Sequence, residues 1–89
     1  MPIVRFTSNL ARHRPVPELA GQGATVAEVL ADALGADPFL KSYILDEQGR
    51  ARKHVNIFVD GTMISDRIRL SDPVHETTEI YILQALSGG

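Results

Sequence analysis

One stretch of this chain has helical periodicity, and the segments around it have the periodicity of strands. Val26, Val29, Leu30, Ala33 and Leu34 recur at i, i+3, i+4, i+7 and i+8, which gathers them into a single apolar stripe. Thr25 precedes the stripe as an N-cap, and Glu28 three residues on completes a capping box. Gly35 is the natural stop, and Pro38 prevents continuation. A helix with one apolar stripe must bury it against another element. In a chain of 89 residues with one clear helix, that element is a sheet.

The strand signals supply one. Residues 3–7 alternate, with Val4 and Phe6 on one face and Arg5 and Thr7 on the other. Pro15 and Pro17 make residues 8–17 a loop, which leads to a short strand near residues 18–20. Residues 54–59 place Val55, Ile57 and Val59 on one face and Asn56 and Phe58 on the other. Asp60-Gly61 is a hairpin turn signal, so residues 62–65 return as a short strand. Residues 66–76 read as irregular, with a turn at Asp72-Pro73, and residues 79–85 are the last strand. Phe39, Leu40, Tyr43 and Ile44 suit one short helical turn on the core. The expectation is an α+β domain: a mixed sheet with one main helix packed across one face.

Size and charge narrow the function. At 9.7 kDa the chain has little material for an enclosed active site, which favours binding or carrying over autonomous catalysis. A hydrophobic content of 44% and a net charge of −2 argue against disorder and against a global basic field for nucleic acid. With no cysteine, disulfides, thiol chemistry and thiolate-bound metal are excluded, and a reducing, cytoplasmic setting is compatible. There is no apolar run of the roughly 20 residues that would span a bilayer, and no signal-peptide pattern at the N-terminus.

Few residues point to chemistry. His13, His54 and His75 lie far apart without metal-ligand spacing. Asp66, Asp72, Glu76 and Glu79 have no pairing geometry and read as a solvated acidic edge. Ser87 has no neighbouring histidine to activate it. Two basic patches, Arg12-His13-Arg14 and Arg50, Arg52, Lys53 and His54, read as solvated surface or as docking sites for an acidic partner; no aromatics interleave them as nucleic-acid binding would ask. Phe58, Tyr81 and Leu83 sit opposite the aliphatic faces of their strands. They form either an exposed partner-binding patch or packing beneath residues 39–45; periodicity leaves the inward face open.

The last two residues, Gly88 and Gly89, are the most informative. One reading is a frayed end. The other is functional: two residues without Cβ enter a channel too narrow for any other dipeptide. They present a terminal carboxylate on a thin arm that starts from a rigid strand. A carboxylate is a poor acyl donor until activated, for example by adenylation, and in-line attack tolerates little misplacement.

Taken together, Asp46-x-x-Gly49-x-x-Arg52-x-His54-Val55-x-Ile57-Phe58-Val59-Asp60-Gly61, then Glu79-Ile80-Tyr81-Ile82-Leu83, then Gly88-Gly89 resemble the β-grasp sulfur carriers related to ubiquitin. That family includes the small subunit of molybdopterin synthase and the thiamine-pathway carrier. The resemblance implies a β-grasp domain over residues 1–86 with a flexible tail at 87–89, and a non-enzymatic carrier role. It implies an E1-like partner that uses ATP to adenylate the Gly89 carboxylate, with Gly88 as the clearance position. The adenylate would become a thiocarboxylate whose sulfur passes to a second, biosynthetic enzyme. No bound cofactor, metal, nucleic acid or membrane is expected. The chain departs from molybdopterin-type carriers in having Gln84-Ala85-Leu86-Ser87 where a proline-containing segment is usual. Two alternatives stand beside the carrier: a ubiquitin-like modifier joined to lysines through Gly89, and a β-grasp interaction domain with an inert tail.

Overall fold

The computed structural model describes residues 1–6 and 18–84. The element order is β1 (Ile3–Phe6), β2 (Leu19–Ala20), α1 (Val26–Ala33), α2 (Pro38–Ile44), β3 (Val55–Val59), β4 (Thr62–Met63) and β5 (Glu79–Gln84). Expectations for Thr7, the 8–17 loop, the Arg12-His13-Arg14 patch, Ala85 and the 87–89 tail lie outside the described residues.

The strands form one mixed sheet in the order β2-β1-β5-β3-β4. β5 is central, parallel to β1 and antiparallel to β3. The short strands β2 and β4 pair antiparallel at the two edges. Asp60 and Gly61 both have positive φ, 48° and 88°, as a type I′ hairpin requires. The Asp60 side chain also accepts the Glu79 N–H at 2.9 Å, tying the hairpin to β5.

The α1 cap forms with one variation. Thr25 Oγ1 accepts the Glu28 N–H, but Glu28 reaches back to the Ala24 N–H, one residue before the cap. The first-turn N–H groups of Val26 and Ala27 donate to the carbonyls of Asp72 and Leu70. The helix start is thereby fastened to the 66–73 segment, and its orphan donors are satisfied.

Val26, Val29, Leu30 and Leu34 are fully buried against Val4, Val55, Ile57, Ile80 and Ile82 of the sheet. The apolar stripe and the aliphatic strand faces thus meet as expected. The second helical segment is longer than one turn. Pro38 opens α2 behind an Asp37 cap instead of merely ending the first helix, because proline at the first helical position lacks only an N–H that would be unpaired anyway. α2 buries Leu40 and Ile44, whereas Phe39 is 63% exposed and not part of the core.

Candidate functional site

Both helices cover one face of the sheet, and among the described residues the other face is open. The registers Arg5↔Tyr81, Tyr81↔Phe58 and Phe58↔Met63 run straight across four strands. Directly opposed residues put their side chains on the same face, so these four form one row. Asn56 and Leu83 form the next row, one pleat nearer the end of β5. Tyr81 is 40% and Met63 46% exposed, while Phe58 and Leu83 are half-buried. None of these four packs with the buried core cluster. Phe58, Tyr81 and Leu83 therefore lie together on the open face, not beneath residues 39–45. Met63 joins them, and hairpin counting would have found it: a two-residue turn at Asp60-Gly61 pairs Val59 with Thr62 and Phe58 with Met63. Arg5 closes one end of the row, ion-paired with Glu18 and 3.8 Å from a Glu79 carboxylate oxygen.

The chain leaves the sheet at Gln84, whose register partner is Val55. The exit toward Gly88 and Gly89 is thus beside the start of β3 and continuous with the Leu83–Asn56 row. The glycines themselves lie outside the described residues. Arg50, Arg52, Lys53 and His54 come together with Arg67 along one open cleft at this same end. Nothing in the sequence marks Arg67 as their neighbour.

The acidic residues of 66–76 are not a uniform solvated edge. Asp66 accepts the N–H groups of Ile68 and Arg69 and the Ser71 hydroxyl. Asp72 accepts the N–H groups of Ser65 and Asp66. The bonds to Asp66, that from the Arg69 N–H foremost, hold its carboxyl down at about 2. Asp46 is likewise lowered, mainly by the Arg50 N–H it accepts. Both aspartates build turns.

Among the described residues, no group of three or more His, Cys, Asp or Glu side chains has metal-binding geometry. No helix there is long and apolar enough to cross a membrane. Thr77, His75 and Asp60 make a surface chain: Thr77 Oγ1 is 3.1 Å from His75 Nδ1, and His75 Nε2 is 3.9 Å from Asp60 Oδ2. The second gap is too long for the hydrogen bond that would orient a base, and all three groups are exposed.

The sequence model of the ThiS family matches residues 9–89. Among curated proteins there was no significant match. Among solved structures, the chain is similar to one in the Amycolatopsis orientalis BexX/CysO complex, at 22% identity and TM-score 0.81, covering 100% of both chains. The solution structure of small archaeal modifier protein 1 from Methanosarcina acetivorans matches at 28% identity and TM-score 0.79, over 99% of this chain and 95% of that one. CysO of Mycobacterium tuberculosis matches at 19% identity and TM-score 0.75, over 97% and 100%.

Proposed function

This chain belongs to the ThiS family of β-grasp, ubiquitin-like sulfur carriers, and from that premise we propose that Gly89 is the sulfur-bearing residue. The observation that carries the proposal is the family match itself, which extends through the terminal Gly88-Gly89 pair. An E1-like partner transfers AMP from ATP to the Gly89 carboxylate and releases pyrophosphate. A sulfur nucleophile then attacks the acyl carbon, AMP leaves, and Gly89 ends as a thiocarboxylate. A second partner uses that sulfur in building a cofactor or metabolite, as in molybdopterin synthase. The chain brings no catalytic side chain and no cofactor of its own. Its contribution is a rigid β5 that aims the arm, and a Gly88 that lets the arm enter a narrow channel.

In this reading the open-face residues Phe58, Tyr81 and Leu83, with Met63, are where the activating enzyme rests. They are contiguous with the strand that carries the arm. Such a patch of exposed aromatic and aliphatic side chains is what protein interfaces centre on.

The test is intact-protein mass spectrometry after incubation with ATP, a sulfide source and the adenylating enzyme of the source organism. The expected result is one oxygen-for-sulfur exchange on the C-terminal peptide, lost when Gly88 and Gly89 are deleted. An unchanged mass, with a known carrier converted in parallel, refutes it. The 28% identity to a protein named as a small archaeal modifier favours one second reading: conjugation through Gly89 to lysine amines. That reading predicts an isopeptide-linked protein in place of a thiolated small molecule.

A further inference from the structure

The basic cleft beside the end of β5 has no part in the chemistry proposed for Gly89. It is an open depression of about 520 Å³ lined by Arg50, Arg52, Lys53, His54, Arg67 and Ile68, with Asp46 as the one acid among the described lining residues. The whole chain carries nine Lys and Arg against eleven Asp and Glu, for a net −2. Four of those nine cations line this single cleft, so the local field has the opposite sign to the molecule.

Arg52 and Arg67 are held in place but not neutralised. The Arg67 guanidinium donates to the carbonyls of Arg52 and Val55, both at 2.7 Å. Arg52 Nε donates to the Ser42 carbonyl. Carbonyl acceptors fix a guanidinium without cancelling its charge. Arg50 is paired with Asp46 at 2.9 Å. Among the described residues, no carboxylate forms an ion pair with Arg52, Lys53 or Arg67. Lys53 and His54 are exposed.

Gln84 pairs with Val55, one residue beyond His54. Gly89 lies five positions beyond Gln84, a reach of at most about 17 Å when fully extended. An enzyme that holds Gly89 at its active site must therefore come within that reach of this end of the sheet, where the cleft also lies. We infer that the Arg52–Lys53–His54–Arg67 cleft docks an Asp/Glu-rich segment of the enzyme that activates Gly89, and so steers and orients the encounter. This rests on the carrier reading for the identity of the enzyme. The cleft is too open to enclose a small anion, whereas a broad charged surface beside an apolar one is suited to a protein partner.

The experiment measures binding of the full chain to the adenylating enzyme of the source organism at low and high salt. The variants are Lys53→Glu and, as a control, Ala31→Glu/Ala36→Glu, which changes net charge equally at exposed positions outside the cleft. Lys53→Glu should weaken binding about tenfold at low salt and flatten its salt dependence. The control should bind like the wild type. In the sulfur assay Lys53→Glu should raise KM and leave kcat unchanged. Equal binding by wild type and Lys53→Glu, or equal loss in the control, overturns the inference. So does saturable ATP binding at Lys53 and His54 in the isolated chain with enzyme binding unaffected by Lys53→Glu, which would reassign the cleft to phosphate. Lys53-dependent, salt-sensitive binding without sulfur gain on the wild type would support the docking site and reject the sulfur reading, so the two fail separately.

Discussion

Gly21→Ala adds one methyl group, and the structure says where it goes. Gly21 is buried where β2 ends, its N–H donating to the Pro2 carbonyl at 3.2 Å. The next residue, Gln22, donates its N–H to Asp32 of α1 at 2.8 Å. A Cβ at Gly21 would stand 2.4 Å from the Val29 carbonyl oxygen and 3.0 Å from the Ala33 nitrogen. Both are helix backbone atoms with no rotamer to give. Ordinary contact begins near 3.4 Å, so α1 and the β2 end must separate by about 1 Å, a gap that forfeits up to half of each dispersion contact it opens. α1 supplies Val26, Val29 and Leu30 to the core, all fully buried, so a shift of the helix loosens the whole layer.

Overpacking of this kind costs about 1–3 kcal/mol, and rigid backbone on both sides places this site at about 3. A domain of this length has about 5–10 kcal/mol in total. With a urea m-value of about 1.2 kcal/mol/M, the midpoint should fall by about 2.5 M with m unchanged. Gly49→Ala is the comparison. It meets nothing within 4 Å but sits at φ +82°, which costs an alanine about 1 kcal/mol. The measurement is urea unfolding of both variants by circular dichroism. A Gly21→Ala protein as stable as the wild type, or less destabilised than Gly49→Ala, refutes the reasoning. So does the gain of about 0.4–1 kcal/mol that an unhindered Gly→Ala change brings.

Phe58→Asp and Tyr81→Asp should leave the fold intact, with unfolding midpoints near wild type, because neither ring packs with the buried cluster. Both should weaken binding to the activating enzyme by about tenfold or more, as loss of an aromatic anchor does; calorimetry beside a melting curve separates this from unfolding. Stability should also depend on acid through Asp66. Its native carboxyl sits near 2, below the ordinary 3.8, so its stabilising contribution is complete above about pH 4 and is lost as pH falls toward 2. Urea midpoints at pH 6, 4 and 2.5 should show a steeper acid loss for wild type than for Asp66→Asn, and parallel curves would remove the claim.

Much of the architecture was legible in residue order because it is local. The α1 stripe, the Thr25 cap and the Asp60-Gly61 turn depend on neighbours within a few residues, and their side-chain spacing alone sets the element. α2 was only half legible. Pro38 serves equally as a stop and as a start, and the choice turns on whether Leu40 and Ile44 find a core to enter, which they do. Phe39, apolar and adjacent, finds none.

For the site, periodicity alone placed Phe58, Tyr81 and Leu83 off the aliphatic strand faces, since a strand alternates whatever it pairs with. Which face stays open was settled by the helices, which can cover only one. The same holds for charge. Lys53 and His54 are neighbours by covalent bonds, but Arg67 joins them through space: its carbonyl accepts the Ala51 N–H and its side chain reaches two carbonyls near the start of β3. The turn roles of Asp66 and Asp72 needed folded backbone N–H groups to accept from. Chain order therefore determined the elements, their faces and the Gly88-Gly89 end. Only tertiary structure, through the pairing of Gln84 with Val55, brought a basic cleft to the strand that bears that end. Sheet register is a long-range choice, made by burying one face of every strand at once.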